Sequence, residues 1–223
     1  MLLCIGVEKG GAGKSTVCQN LASVRASLGH SVVILDLDGQ ATSAKWVSRR
    51  NEDETLPAVA IERLAPKKGE GNTAALKRQL PALAEQYTDV FIDVGGKDTD
   101  LLRLALAACD RTIVPLVPSP ADLDTVPDFA DVVEAIHTAR GERRPVQVIL
   151  NMTSGSPRML NEMLEGMGPF HEALPVMKKR IGTRVAFKRA MSEGKGVHEL
   201  TGRDFDPAAA NEIKDLYLEV FGK

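Results

Sequence analysis

Aromatic residues make up only 4% of the 223-residue chain, and tryptophan occurs once. Cysteine is scarce: Cys4, Cys18 and Cys109 are widely spaced, lie on apolar faces and form no C-x-x-C pair. This excludes a disulfide-stapled secreted domain and a cysteine metal or redox site, and suits reduced core thiols in a cytosolic protein. An excess of one charge is also missing, because 28 basic residues are interspersed with 30 acidic ones and no basic tail announces nucleic acid. No apolar stretch approaches the ~20 residues a membrane helix needs. The N-terminus is short, apolar and immediately structural, so it reads as a strand rather than a signal peptide. Internal repeats, low-complexity segments and long linkers are absent. Residues 1–223 therefore read as a single α/β domain with a full core.

What is present is concentrated at residues 8–16, Glu-Lys-Gly-Gly-Ala-Gly-Lys-Ser-Thr. An apolar run, Leu2 to Val7, precedes them as a short buried strand, and a helix-period stretch from Val17 to about Leu28 follows. Strand, glycine-rich turn, Lys14-Ser15 and helix make the layout of a phosphate cradle. Gly10, Gly11 and Gly13 let the backbone curl so that its N–H groups, with those of Ala12 and Thr16, face phosphate oxygens. The N-terminus of the following helix adds partial positive charge. Lys14 is expected to reach the β- and γ-phosphates of ATP, and the Ser15 hydroxyl to take a place on Mg²⁺. Lys9 is the unusual residue. One turn cannot easily aim two ammonium groups at its own nucleotide, so Lys9 is available to a nucleotide held by another subunit; the alternative is a solvated loop lysine.

The run Lys9 to Thr16 resembles the deviant phosphate loop of the ParA/MinD group of ATPases, closest to the small ParF-like plasmid-partition members, in which the first lysine is the signature lysine. The order of elements agrees. Apolar runs recur at residues 2–7, 31–36, 58–64, 89–93, 112–117 and 146–151, mostly without alternation, as strands covered on both faces should be. Helix-like stretches lie between them at 14–28, 41–49, 73–86, 98–108, 121–140 and 157–167. Such alternation predicts a doubly wound, mostly parallel sheet with helices on both faces and ligands beyond the carboxyl ends of the strands.

Three polar segments fall at such ends. Asp36-Leu-Asp38-Gly39-Gln40 places both aspartates on one side of a strand terminus. They either cap the helix near Ala41 or, as the resemblance implies, form the first switch, with Asp38 orienting the attacking water and Asp36 near the Mg²⁺ shell. Gly39 replaces the proline usual in the family, which should loosen that turn. Asp89 to Asp93, followed by Val94-Gly95-Gly96, resembles a Walker B strand with Asp93 holding Mg²⁺ through water; the alternative is a cap on the helix from Asp98. The glycines there permit a flexible second switch. Pro115 to Leu123 either stops a strand and starts a helix or resembles the proline-rich segment of partition ATPases, with Pro118 contributing to the nucleotide pocket. Asn151 is read against the adenine base or as a turn-former.

The segment from Lys178 concentrates positive charge at Lys178, Lys179, Arg180, Arg184, Lys188, Arg189 and Lys195. Arg184 and Lys188 share a face if residues 183–192 are helical, and form either a solvated surface or, with Arg189, a non-specific DNA surface. Residues 207–223 read as an amphipathic packing helix with Ile213, Leu216, Tyr217 and Val220 inward. Glu212, Asp215 and Glu219 on its polar face disfavour an anionic membrane. The resemblance implies a cytoplasmic, nucleoid-associated ATPase that dimerises on ATP and partitions DNA. It lacks an N-terminal helix-turn-helix, so a ParB- or ParG-like centromere-binding protein would supply sequence recognition and stimulate hydrolysis. Positioning a protein cargo over the nucleoid, and a MinD-like membrane switch, are the alternatives.

Overall fold

The computed structural model describes residues 1–96, 99–153 and 156–222. Seven strands form one sheet in the order β3-β2-β4-β1-β5-β6-β7, and every pair of neighbours is parallel. They are β1 (Leu2–Ile5), β2 (Val32–Asp36), β3 (Ala60–Arg63), β4 (Asp89–Asp93), β5 (Arg111–Leu116), β6 (Val146–Thr153) and β7 (Val176–Gly182). The helices are α1 (Lys14–Ser27), α2 (Thr42–Arg50), α3 (Asn72–Gln86), α4 (Thr99–Ala108), α5 (Pro120–Leu123), α6 (Val126–Arg140), α7 (Pro157–Met167), α8 (Val185–Glu193) and α9 (Pro207–Phe221). This is the doubly wound α/β architecture that strand–helix alternation predicts.

Period-two side-chain alternation sorts the central strands into two core layers. Val33, Leu35, Val90, Ile92, Val114 and Leu116 face a layer closed by α3, α4, α6 and α7. Leu3, Ile5, Ile34, Phe91, Ile113 and Ile149 face the other, closed by α1, α2, α8 and α9. Both faces are covered, which is why the strands read as unbroken apolar runs. Cys4, Cys18 and Cys109 are buried thiols within these layers. On α9, Ile213, Leu216, Tyr217 and Val220 are buried as expected, each aliphatic side chain contributing roughly 1.5–3 kcal/mol.

Three expectations are corrected. The stretch 121–140 is two helices, not one, because Pro127 cannot donate to the carbonyl four residues back and its ring crowds that turn. A seventh strand, β7, runs through the basic segment; it is a sheet edge with Lys178, Lys179 and Arg180 exposed, so it carries no apolar run to betray it. Arg184 lies outside α8 as its N-cap residue and does not share a helix face with Lys188. The expected start at Asp98 lies outside the described residues.

The far end of α2 is clamped to the segment after α8. The Arg50 side chain, fully buried, forms a two-pronged pair with Glu199 at 2.7 Å for both contacts and donates to the Pro57 carbonyl at 2.8 Å. Its guanidinium carbon lies 5.3 Å from the Trp46 ring, and Trp46 Nε1 donates to the Lys195 carbonyl at 3.1 Å. Removing one member strands a buried charge. Glu199→Ala is expected to lower unfolding free energy by about 3–5 kcal/mol in urea denaturation, whereas Lys179→Ala, which breaks the exposed pair with Asp215, leaves the midpoint close to the parent.

Candidate functional site

The loop between β1 and α1 is shaped by contacts at both ends. Gly13, the residue before α1, has φ +83°, and a Cβ there would lie 2.2 Å from Asn151 Nδ2, so only glycine fits. Asn151 is buried at the end of β6 and donates through that nitrogen to the Ala12 carbonyl at 2.7 Å. It buttresses the loop, a contact between side chain and loop backbone that neither sequence reading anticipated. Lys14 is buried, and its ammonium donates to the Lys9 carbonyl. Burial lowers its pKa, and the nearby Asp93 and Asp38 carboxylates oppose that shift. Ser15 and Thr16 follow in the first turn of α1, half-buried.

Behind the loop two carboxylates sit side by side, because Asp36 and Asp93 are register partners at the ends of β2 and β4. Both are 1% exposed. Asp36 accepts the N–H of Asp38 through Oδ1 at 3.0 Å and that of Ala44 through Oδ2 at 2.9 Å, so it fastens the first turn of α2. Asp93 Oδ2 accepts from the Ser43 hydroxyl at 2.6 Å, while its Oδ1 is buried with no partner among the described residues. Burial pushes the Asp93 pKa up to about 7; the Ser43 and Ser15 hydroxyls pull it back, Asp36 raises it further, and Lys14 lowers it. Asp36 is raised as well, again by burial first. A buried, orphaned carboxylate oxygen beside a serine hydroxyl suits a hard cation such as Mg²⁺, which needs only one or two protein carboxylates and takes its other ligands from phosphate and water.

In front of these groups lies a cavity of about 730 Å³ lined by Gly10, Gly11, Asp36, Asp38, Gln40 and Arg63, among others. Asp38 is half-buried at its wall and accepts the Gln40 N–H at 3.0 Å. Gly96 closes the same wall: a Cβ there would stand 2.6 Å from the Lys9 carbonyl, so the segment after β4 is pressed against the phosphate loop. Lys9 is folded back on its own chain, with Nζ 2.6 Å from Asp122 Oδ2 and its side chain 32% exposed. Burial would raise Asp122, but hydrogen bonds from Lys9, Ser119 and the Val117 N–H outweigh it and hold the carboxyl below its ordinary value.

The structure thus brings Lys9, the glycine loop, Lys14, Ser15, Asp36, Asp38 and Asp93 together. Pro118 instead lines a separate cavity of about 130 Å³ beside α5 and α7. The basic residues lie elsewhere, with Arg184 paired to Glu212 at 2.6 Å and Arg189 to Asp204 at 3.2 Å; Lys188 is exposed and makes no ion pair among the described residues. Sequence reasoning missed Asp122, Ser43 and Arg63. Ser119-Pro120-Ala121-Asp122 carried a usable signal, a serine followed three residues later by an acid with proline at the first helical position. Ser43 and Arg63 carried none.

Comparison with known proteins identifies the family. The sequence pattern of a family described as ATPase MipZ matches residues 1–140. The chain is 25% identical over 224 residues to the Maintenance of carboxysome distribution protein A of Halothiobacillus neapolitanus, covering 98% of this chain and 95% of that one. It is 28% identical to the chromosome-partitioning ATPase Soj of Thermus thermophilus over 87% of this chain and 86% of that one. In fold it superposes on a Cyanothece McdA variant in complex with ATP with a TM-score of 0.74 at 16% identity, covering 100% of this chain and 96% of the other. The chain belongs to the MipZ family of ParA/MinD-type ATPases, and its substrate is ATP.

The raised Asp93 pKa has a consequence for stability. Without metal, the folded protein keeps a proton on Asp93 that the unfolded chain loses near pH 4, so stability falls as pH rises from about 4 to about 7. The loss is on the order of 4 kcal/mol at full conversion, with Asp36 adding in the same direction. Urea denaturation in EDTA at pH 5 and pH 8 checks this. Asp93→Asn is expected to flatten the difference, and to be the more stable form only at the higher pH.

Proposed function

We propose that this ATPase is an ATP-gated dimer switch: two copies close face to face on two ATP molecules, the closed pair holds non-specific DNA, and hydrolysis opens it. The observation that carries this reading is Lys9, half-exposed at the edge of the loop and, among the described residues, paired with Asp122 of its own chain. The ion pair keeps a flexible ammonium at the mouth of the site. A neighbouring subunit's triphosphate carries more negative charge than one carboxylate and can draw Lys9 across, as the signature lysine of the family implies.

Within each subunit, Lys14 and the loop N–H groups would hold the triphosphate. Ser15 and Asp93 would hold Mg²⁺, with Asp36 behind them. Bound there, the ion would neutralise charge on the β- and γ-phosphate oxygens. Asp38 would orient the attacking water, and loss of the γ-phosphate would release the loops around Gly39 and Gly96. A ParB- or ParG-like centromere-binding partner would speed that step by adding a positive side chain or ordering the Asp38 loop. The protein would then act in the cytoplasm on nucleoid DNA.

The basic surface supports weak DNA contact by a single copy, since Glu212, Asp206 and Asp204 neutralise Arg184 and Arg189. Doubling the surface in a dimer makes the contact useful. A membrane switch is disfavoured: the apolar face of α9 is buried, and Glu219 and Glu212 accept backbone N–H groups of β7. No helix among the described residues is long and apolar enough to cross a membrane. A second reading, in which the cargo is a protein assembly carried over the nucleoid, is favoured by the carboxysome-distribution relative, which matches nearly end to end.

Two measurements test the proposal. Lys9→Ala is expected to reduce ATP turnover at least ~100-fold (about 2.7 kcal/mol of transition-state stabilisation) while ATP still binds; unchanged turnover removes Lys9 from the mechanism. DNA retardation should require a non-hydrolysable ATP analogue, weaken steeply with salt, and fall with Lys188→Ala more than with Arg189→Ala or Arg184→Ala, whose charges are committed to Asp204 and Glu212. Retardation without nucleotide, or none with it, sinks the DNA assignment.

A further inference from the structure

The buried polar groups behind the phosphate loop include one that neither the sequence pattern nor the family resemblance assigns. Ser43 lies in the first turn of α2 and is 0% exposed. Its Oγ receives a hydrogen bond from Gln19 Nε2 at 3.2 Å and lies 2.6 Å from Asp93 Oδ2. A serine hydroxyl has a single proton. Since the Gln19 nitrogen only donates, that proton must point at Asp93. The bond fixes which carboxylate oxygen is occupied and leaves Oδ1, buried and without a partner among the described residues, as the oxygen left for a ligand.

We propose that Ser43 is a positioning residue for Mg²⁺–nucleotide binding: its hydroxyl holds the Asp93 carboxylate so that Oδ1 is presented to the cation. This rests on the reading above that Asp93 holds Mg²⁺. Without the hydroxyl, the carboxylate can rotate about its Cβ–Cγ bond and loses the donor that holds Oδ2. Asp36 is less available, because the N–H groups of Asp38 and Ala44 already occupy one lone pair on each of its oxygens. Ala44 is the neighbour of Ser43. One turn of helix therefore grips both carboxylates, Asp36 by a backbone N–H and Asp93 by a hydroxyl.

That turn begins at Ala41, which has φ +53°, immediately after the Asp38–Gln40 loop. A left-handed alanine is a costly start to a helix and persists only where surrounding contacts over-determine it. The grip on Asp36 and Asp93 supplies such contacts. Ser43 consequently ties the cation's carboxylate to the loop that carries Asp38, so cation binding and the placement of that loop are set together. Partners of this kind, one bond removed from a metal ligand, typically change metal affinity 10–100-fold when removed.

Trp46, the only tryptophan, is buried three residues further along α2 and reports on this turn. The test titrates Mg²⁺ into the full chain with a non-hydrolysable ATP analogue, following Trp46 emission, and repeats the analogue titration in EDTA. For Ser43→Ala, the expected result is a Mg²⁺ half-saturation raised about 10–100-fold with analogue affinity in EDTA unchanged. Ser43→Cys, close in size and a poor donor, should behave alike and serves if the alanine variant does not fold. Asp93→Ala is the control for the underlying reading. If Asp93→Ala raises the half-saturation and the Ser43 variants stay within about twofold of the parent, Ser43 has no positioning role. If affinity in EDTA falls as much as in Mg²⁺, Ser43 is a packing residue and the proposal is wrong. If Asp93→Ala also changes nothing, the assignment of Asp93 fails first and takes this inference with it.

Discussion

Two carboxylates buried side by side at the ends of adjacent parallel strands constrain everything around them. Asp36 and Asp93 face one another in register, almost without solvent; burial raises the pKa of both, and Asp36 raises that of Asp93 further. Such a pair is tolerated only because the surroundings answer it: Lys14 from α1, two backbone N–H groups and a serine hydroxyl. The compensation is incomplete, since one oxygen of Asp93 has no partner among the described residues. A folded state that carries this deficit is poised for a cation and its polyphosphate. Site and strain have the same origin.

The phosphate loop follows from the same geometry. Lys14 must reach toward the carboxylates, so the loop has to turn tightly between β1 and α1, and Gly13 with Asn151 behind it makes that turn. Gly96 then packs against the Lys9 carbonyl, which brings the segment after Asp93 into contact with the residue proposed to act across a dimer. Both loops that would sense a γ-phosphate therefore touch the phosphate loop or the carboxylates directly. At its other end α2 is held to the segment after α8 through Arg50, Glu199 and Trp46, so the helix that grips the carboxylates also leans on the helix bearing Lys188 and Arg189.

Much of this was legible before any coordinates. Six of the seven strands and the helices between them announce themselves because a parallel sheet covered on both faces forces apolar runs, and the Gly-rich loop with Lys14 and Ser15 has one widely used purpose. The seventh strand was not legible, because an edge strand with Lys178, Lys179 and Arg180 exposed has no hydrophobic pattern to show. Pro127 gave a warning of the break between α5 and α6 that a periodicity reading passes over. Within the site, the sequence pointed to residue types at strand ends but not to their partners. That Asn151 braces the loop, that Lys9 rests on Asp122 and that Ser43 reaches Asp93 are facts of tertiary packing across 139, 113 and 50 residues, respectively. Spacing in a sequence does not carry such information.

The central claim is that ATP, and not ADP, closes two copies of this chain on each other. Sedimentation velocity of the same preparation without nucleotide, with Mg²⁺–ADP and with a Mg²⁺–non-hydrolysable ATP analogue measures it directly. The account predicts monomer, monomer and dimer in turn. A single species of unchanging mass in all three conditions contradicts it.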